Sequence, residues 1–324
     1  MGMSLLDVQD LVVEFPNRHG TLRALDQVSF QIQAGEILGV VGESGAGKSL
    51  TGSAIIGLLQ PPGRIAGGQI KLQGQRIDDL DPEALRRIRG RRIGAIFQDP
   101  LTSLNPLYTI GHQLIETIRT HLPLTVAQAK AKAIELLSDT GIAGAEQRLG
   151  HYPHQFSGGM RQRVVIALAL AADPELIIAD EPTTALDVSV QAQIIALIKR
   201  LCTERGAAVM LITHDMGVIA EACDRVAVMY AGRLIEWGPV RHVIQQPAHP
   251  YTQGLMASIP DLSQDRERLN QIEGAMPRLN AIPTGCAFHP RCPQAHAICQ
   301  QQRPELRQTR STHVACWLAA EGLT

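Results

Sequence analysis

The chain has 324 residues, 45% of them hydrophobic, with 30 Lys or Arg and 31 Asp or Glu and a formal net charge of -1. This length and apolar content build one large or two ordinary domains around a sizeable core and exclude a disordered chain. The charge balance argues against a protein that holds nucleic acid mainly through its phosphates, since such surfaces are basic overall.

No segment reads as a membrane span. The apolar run VVIALALAA at residues 164–172 falls well short of the roughly 20 residues needed to cross a bilayer. The start, MGMSLLDVQDL, carries early acids and no basic-then-apolar leader. A soluble, cytosolic chain is expected, reaching a membrane only through a partner.

In chain order, LLDVQDLVVEF and LRALDQVSFQI alternate apolar and polar positions and predict antiparallel strands. EILGVVG is a short continuous apolar run, as in a fully buried central strand. It leads into GESGAGKS and then the helix-compatible LTGSAIIGLL. From about residue 104 to 172 the period turns helical, as in GHQLIETIRTHL and AQAKAKAIELLSDTG. ELIIAD and AAVMLITHD are predicted buried strands, with VSVQAQIIALIKRLCTERG as the helix between them. VAVMYAGRLIEWG predicts a hairpin turning at Ala231 and Gly232. The alternation of strand and helix places the core in the α/β class. Composition shifts near Gln245, where the chain becomes proline-punctuated and loop-rich. We place a boundary at about residue 240, with residues 1–240 as the main domain and 241–324 as an accessory domain.

Three patterns carry chemistry. Residues 42–49, GESGAGKS, fit G-x-x-x-x-G-K-S between a strand and a helix. Glycines at Gly42, Gly45 and Gly47 let backbone amides converge on phosphate oxygens, and the following helix adds its N-terminal partial charge. Lys48 would reach the β- and γ-phosphates of a nucleotide, and Ser49 would ligate magnesium. LIIADE at residues 176–181 ends a second buried strand in two carboxylates. Asp180 would hold magnesium through water, and Glu181 would polarise an attacking water. Third, SGG at residues 157–159 precedes a helix and makes another anion-binding terminus.

PHQFSGGMRQRVVIALAL, placed just before LIIADE, resembles the signature segment of ABC ATPases. Phe156 and Met160 depart from the commonest LSGGQ form without altering its serine–glycine core. The resemblance implies an ABC-type phosphate-loop ATPase fold: an α/β core, an antiparallel β subdomain and a helical subdomain over about residues 104–172. It implies that Gly42, Ser44, Gly45, Ala46, Gly47, Lys48, Ser49 and Leu50 bind ATP. Ser157, Gly158, Gly159 and Asp187 would serve the ATP held by a second ATPase subunit. Gln98 in IFQDP matches the glutamine that contacts magnesium and relays nucleotide state. His214 in LITHD matches the histidine that meets the γ-phosphate, beside Lys48 and Glu181 as the catalytic groups. Phe15 is the candidate for stacking on adenine, with an ordinary core phenylalanine as the other reading.

FQDPLTSLNPLYTIG, DEPTTALDVSVQAQI, HPYTQGL and GCAFHPRCPQA narrow the resemblance to the ATP-binding subunits of oligopeptide and dipeptide importers, over essentially the whole chain. The narrower resemblance implies a subunit at the cytoplasmic face of the plasma membrane. Its partners would be a related second ATPase, two transmembrane permease subunits and an extracytoplasmic binding protein. Because an ATPase subunit does not touch the cargo, nickel, glutathione or another small solute stays open. A soluble ABC ATPase outside transport is the rival class. One cassette without a heptad run speaks against it.

Six cysteines are unevenly placed. Cys202 and Cys223 read as small buried hydrophobes. Cys286, Cys292, Cys299 and Cys316 crowd the last 39 residues, and in a cytosolic chain such a cluster suggests a metal before disulfides. The tail of peptide-importer ATPases implies a [4Fe–4S] cluster here. From the residues alone, zinc, with His289, His296 and His313 as substitute ligands, and a metal-free tail remain open.

Overall fold

The computed structural model describes residues 4–18, 20–184, 186–258, 271–309 and 311–321. Strands in chain order are β1 (Leu6–Asn17), β2 (Gly20–Ile32), β3 (Ile37–Val41) and β4 (Arg64–Leu72). They are followed by β5 (Gln75–Arg76), β6 (Ile93–Ile96), β7 (Leu176–Asp180) and β8 (Ala208–Ile212). The last are β9 (Arg225–Tyr230), β10 (Arg233–Pro239), β11 (Arg307–Gln308) and β12 (His313–Val314). The main helices are α1 (Lys48–Ile55), α2 (Ile110–His121), α3 (Val126–Asp139) and α4 (Gly158–Ala169). They continue with α5 (Val188–Arg205), α6 (Met216–Ala222) and α7 (Pro250–Ala257).

The chain divides into two compact units. One holds residues 4–5, 32–37 and 79–212. Here β8, β7 and β6 run parallel, with β7 pairing to both neighbours. All five residues of β8 are buried, which explains why its sequence is continuously apolar rather than alternating. The helical pattern over residues 104–172 is realised as α2, α3 and α4. Thr109 caps α2 by accepting from the His112 amide. Thr125 and Gln128 form a reciprocal capping box on α3.

The other unit holds residues 6–31, 38–78 and 213–321. It contains an antiparallel sheet in the order β2-β1-β4-β5 and a run β11-β12-β10-β9-β3. β1 buries Leu6 and Val8, then Leu11 and Val13; the alternation slips by one residue at a bulge near Asp10, where φ is +46° and the register with β4 shifts. β3 pairs parallel with β9 and is buried along its whole length. The hairpin turns where expected: Ala231 and Gly232 both take positive φ, 47° and 76°, the geometry of a tight two-residue turn.

The tail is less separate than its composition implies. β12 pairs with β10 through Glu236↔Val314 and Trp237↔His313, so the tail extends the hairpin's sheet. Glu236 is fully buried, and its two oxygens accept from the amides of Ala248 and His249 at 2.8 and 2.9 Å. His249 in turn caps α7, its Nδ1 accepting from the Tyr251 amide at 3.0 Å. The Nε2 nitrogen therefore carries the ring hydrogen.

Burial pushes the His249 imidazole down to about 3 and pushes the Glu236 carboxyl up. For His249 the unfolded chain takes up a proton near pH 6.5 that the folded chain refuses until about 3, so its contribution to stability is complete above 6.5 and is lost as pH falls through that window. Glu236 works in the opposite direction. A His249→Asn substitution keeps a capping acceptor and removes the titration. Urea midpoints between pH 7 and pH 4 are expected to fall more steeply in the native chain than in this variant.

Candidate nucleotide site

The glycine loop is built by backbone constraints that only glycine meets. Gly42, Gly45 and Gly47 have φ of +150°, +84° and +103°. A Cβ on Gly42 would sit 2.3 Å from the Met229 carbonyl oxygen, so space as well as torsion demands glycine there. Behind the loop, Ala46 is buried and its carbonyl accepts from the Gly232 amide at 2.9 Å. Ser44, Gly45 and Ser49 are exposed, and Leu50 is half-buried. Lys48 is only 5% exposed. Its Nζ donates to the carbonyls of Gly42 at 2.7 Å and Glu43 at 3.1 Å, which pairs the buried ammonium with two acceptors and curls the loop around it. The amides of Gly45 and Gly47 have no backbone acceptor among the described residues. Left-handed glycines, unclaimed amides and a helix start beside an ammonium fit a polyphosphate.

Two further expected residues lie in this unit. His214 is exposed and follows Thr213, whose amide donates to Val40 of β3 at 3.2 Å. Asp215 caps α6, accepting from the Gly217 and Val218 amides. The strand leading to the glycine loop and the turn carrying His214 are thus tied together. Phe15, on β1, is half-buried, and its ring lies so close to Gly63 that a Cβ there would meet Cε1 at 2.7 Å.

The carboxylate pair lies in the first unit. Asp180 ends β7, and Glu181 follows with φ +44°, a conformation costly for a residue with a side chain. Its amide donates to Ile212 at 2.9 Å. Its Oε2 accepts from Gln98 Nε2 at 3.1 Å and from Thr184 Oγ1 at 2.9 Å. Two neutral donors thus orient the carboxylate. Gln98 and Glu181 were expected at the site separately, and the structure joins them. Thr184 was missed: nothing in PTTA distinguishes it from a turn residue.

At the start of α4, Ser157 accepts from the Met160 amide at 3.3 Å. Ser157 and Gly158 are exposed, while Gly159 is half-buried against Val190. Phe156, the departure from the common signature, is buried at 3% with the Arg148 guanidinium 5.7 Å from its ring. It packs the helix start and leaves the serine and glycines open. Asp187 is exposed at the N-cap of α5, and its side chain makes no capping hydrogen bond.

In the tail, the Cys286 amide donates to the Cys299 carbonyl at 2.8 Å. Burial pushes the Cys286 thiol up to about 11, and Cys316, Cys299 and Cys292 push it in the same direction. Among the described residues, however, no group of three or more His, Cys, Asp or Glu is placed to hold a metal ion. A single tetrahedral zinc would draw thiolate sulfurs to about 3.8 Å of one another. Two of the three candidate histidines make other contacts: His289 Nδ1 lies 2.9 Å from the Cys286 carbonyl, and His313 packs on Trp237 at 5.1 Å. Cys202 and Cys223 are buried as expected, and burial pushes the Cys202 thiol up to about 12.

Among the described residues, no helix is long and apolar enough to cross a membrane. Comparison with known proteins matches residues 25–184 to the ABC transporter family and residues 235–299 to the oligopeptide/dipeptide transporter C-terminal region. The chain is 48% identical to a probable peptide ABC transporter ATP-binding protein, y4tR, of Sinorhizobium fredii, over 98% of this chain and 96% of that one. It is 44% identical to the dipeptide transport ATP-binding protein DppD of Escherichia coli, over 94% and 93% of the two chains. Identity to the oligopeptide transport ATP-binding protein OppD of Escherichia coli is 46%, over 99% and 95%. Among solved structures, the dimeric ATP-binding cassette MJ0796 bound to ADP and Pi superposes with a TM-score of 0.65 at 29% identity, covering 73% of this chain and 99% of that one. With similarity of this extent along its whole length and a glycine loop shaped for polyphosphate, the chain belongs to the ATP-hydrolysing subunits of oligopeptide and dipeptide ABC transporters.

Proposed function

We propose that the chain powers import of di- and oligopeptides as one of two related, non-identical ATPase subunits on the cytoplasmic face of the plasma membrane. Two permease subunits and an external binding protein would complete the transporter. The observation that carries this reading is the presence, in one chain, of a loop closed around Lys48 and a C-terminal region matching that of peptide transporters.

In this reading Gly42, Ser44, Gly45, Ala46, Gly47, Lys48, Ser49 and Leu50 cradle the triphosphate, with Phe15 against the adenine. Ser49, Gln98 and Asp180 would hold magnesium, which supplies charge neutralisation on the β- and γ-phosphates. Glu181 orients and deprotonates water, and its carboxylate is aligned for this by Gln98 and Thr184. His214 and Lys48 stabilise charge on the leaving γ-phosphoryl group. Ser157, Gly158, Gly159 and Asp187 reach the ATP of the opposing subunit. The exposed start of α4 and the 84% exposed Val188 beside Asp187 support a face that another cassette covers. Closing on ATP and reopening after hydrolysis would be passed to the permeases through the Gln98 segment.

Residues 241–324 are proposed as the accessory region, with Cys286, Cys292, Cys299 and Cys316 holding a [4Fe–4S] cluster that staples it. Four cysteines gathered in one tail, with the Cys286 amide bonded to the Cys299 carbonyl, support this reading. The donor set is also the all-thiolate one such clusters take.

Glu181→Gln is expected to lower ATP turnover by about 10²–10⁴-fold with MgATP affinity retained. Uptake of a labelled dipeptide by cells whose transporter carries this variant should be lost. Turnover near the native rate would remove Glu181 from its role, and undiminished uptake would remove the chain from peptide import. Anaerobically purified protein should be brown, with about four irons and four sulfides per chain. A colourless, iron-free protein would contradict the cluster.

A further inference from the structure

The phosphate-loop pattern leaves position 43 open to any residue, yet Glu43 is where the tail takes hold of the loop. Its amide donates to Tyr251 Oη at 2.8 Å. Its carboxylate receives a bidentate guanidinium, Arg291 Nη1 to Oε2 at 2.6 Å and Nη2 to Oε1 at 2.9 Å. Its carbonyl accepts from Lys48 at 3.1 Å. One residue thus connects the loop's lysine to two side chains more than 200 positions away in sequence.

Both partners are themselves immobilised. The Arg291 side chain is 6% exposed. Its Nε donates to the Glu273 carbonyl at 2.8 Å and its Nη2 to the Ile272 carbonyl at 3.3 Å. The guanidinium lies 5.8 and 5.9 Å from the Tyr230 and Phe288 ring centres. Tyr251 is fully buried, edge-on to Tyr230 at 4.8 Å and to Phe288 at 5.4 Å. A planar five-donor fork serves this arrangement where an ammonium could not.

We propose that Arg291 and Tyr251 are positioning residues for ATP, so that the tail completes the nucleotide site. Two physical effects support this. The Tyr251 hydroxyl fixes the plane of the peptide that starts the loop, which sets where the following amides point. Arg291 neutralises a carboxylate that would otherwise lie within one loop of a polyanion and repel it. Both effects act on bound ATP in ground and transition states alike, so they belong to affinity rather than to the chemical step.

The test uses the full-length chain with its partner subunits, measuring MgATP affinity, KM and kcat alongside the melting temperature. Arg291→Met should raise the dissociation constant and KM about tenfold with kcat changed less than about twofold. Adding Glu43→Gln to that variant should recover most of the affinity, because the uncompensated charge is then gone. Tyr251→Phe and Arg291→Lys, which preserve shape and charge respectively, should each weaken MgATP severalfold. If both of these bind MgATP within twofold of the native chain, the proposal is wrong, whatever happens to the melting temperature. A lower melting temperature with unchanged affinity would make Arg291 a structural staple only.

Discussion

The buried Lys48 ammonium, closed onto the carbonyls of Gly42 and Glu43, is the interaction around which the glycine loop and its unit are organised. A charge that deep is tolerable only when it is directed at acceptors. The loop must therefore bend back on itself, and its left-handed glycines make that bend possible. β3 delivers the loop from a strand with no exposed residue, and the Gly232 turn of the β9–β10 hairpin supports it from behind through Ala46. The same hairpin carries Tyr230 and Glu236, on which the tail is mounted. Within this unit, strands and tail are therefore assembled around one anion-binding turn.

The first unit shows a complementary logic. Glu181 accepts an unfavourable backbone conformation, and that strain is compensated by the Ile212 carbonyl and the Gln98 and Thr184 side chains around it. The start of α4 is built in the opposite manner. Its packing is handled by buried Phe156, while Ser157 and Gly158 stay at the surface. Under the proposed pairing of cassettes, one chain brings a finished loop and the other an open helix terminus. That division accounts for two phosphate-binding surfaces in a single sequence.

Much of this was legible in the residues. Continuous apolar runs marked β3, β7 and β8, because strands buried on both faces need no alternation. The Ala-Gly pair located the hairpin, because that turn needs positive φ. The glycine spacing located the loop for the same torsional reason. What stayed hidden were relations between distant residues. β11 and β12 have two residues each, too few to show a period. Thr184 is an ordinary turn residue until its hydroxyl is seen on Glu181. Glu43 occupies an unspecified position of its motif, and the arginine that pairs with it lies 248 residues away. The tail cysteines announced donors but not distances, so their number alone left zinc and an iron–sulfur cluster both open.

The most direct test of the account is amide hydrogen exchange on the assembled full-length chain, with and without MgATP. It should follow the loop at residues 42–49 and the tail segment at residues 286–292 together. If the loop is the common anchor of nucleotide and tail, MgATP slows exchange in both segments, and in the loop most. Protection confined to the loop would separate the tail from the nucleotide site, and no protection in the loop would contradict the central claim that Lys48 and its glycines hold the triphosphate.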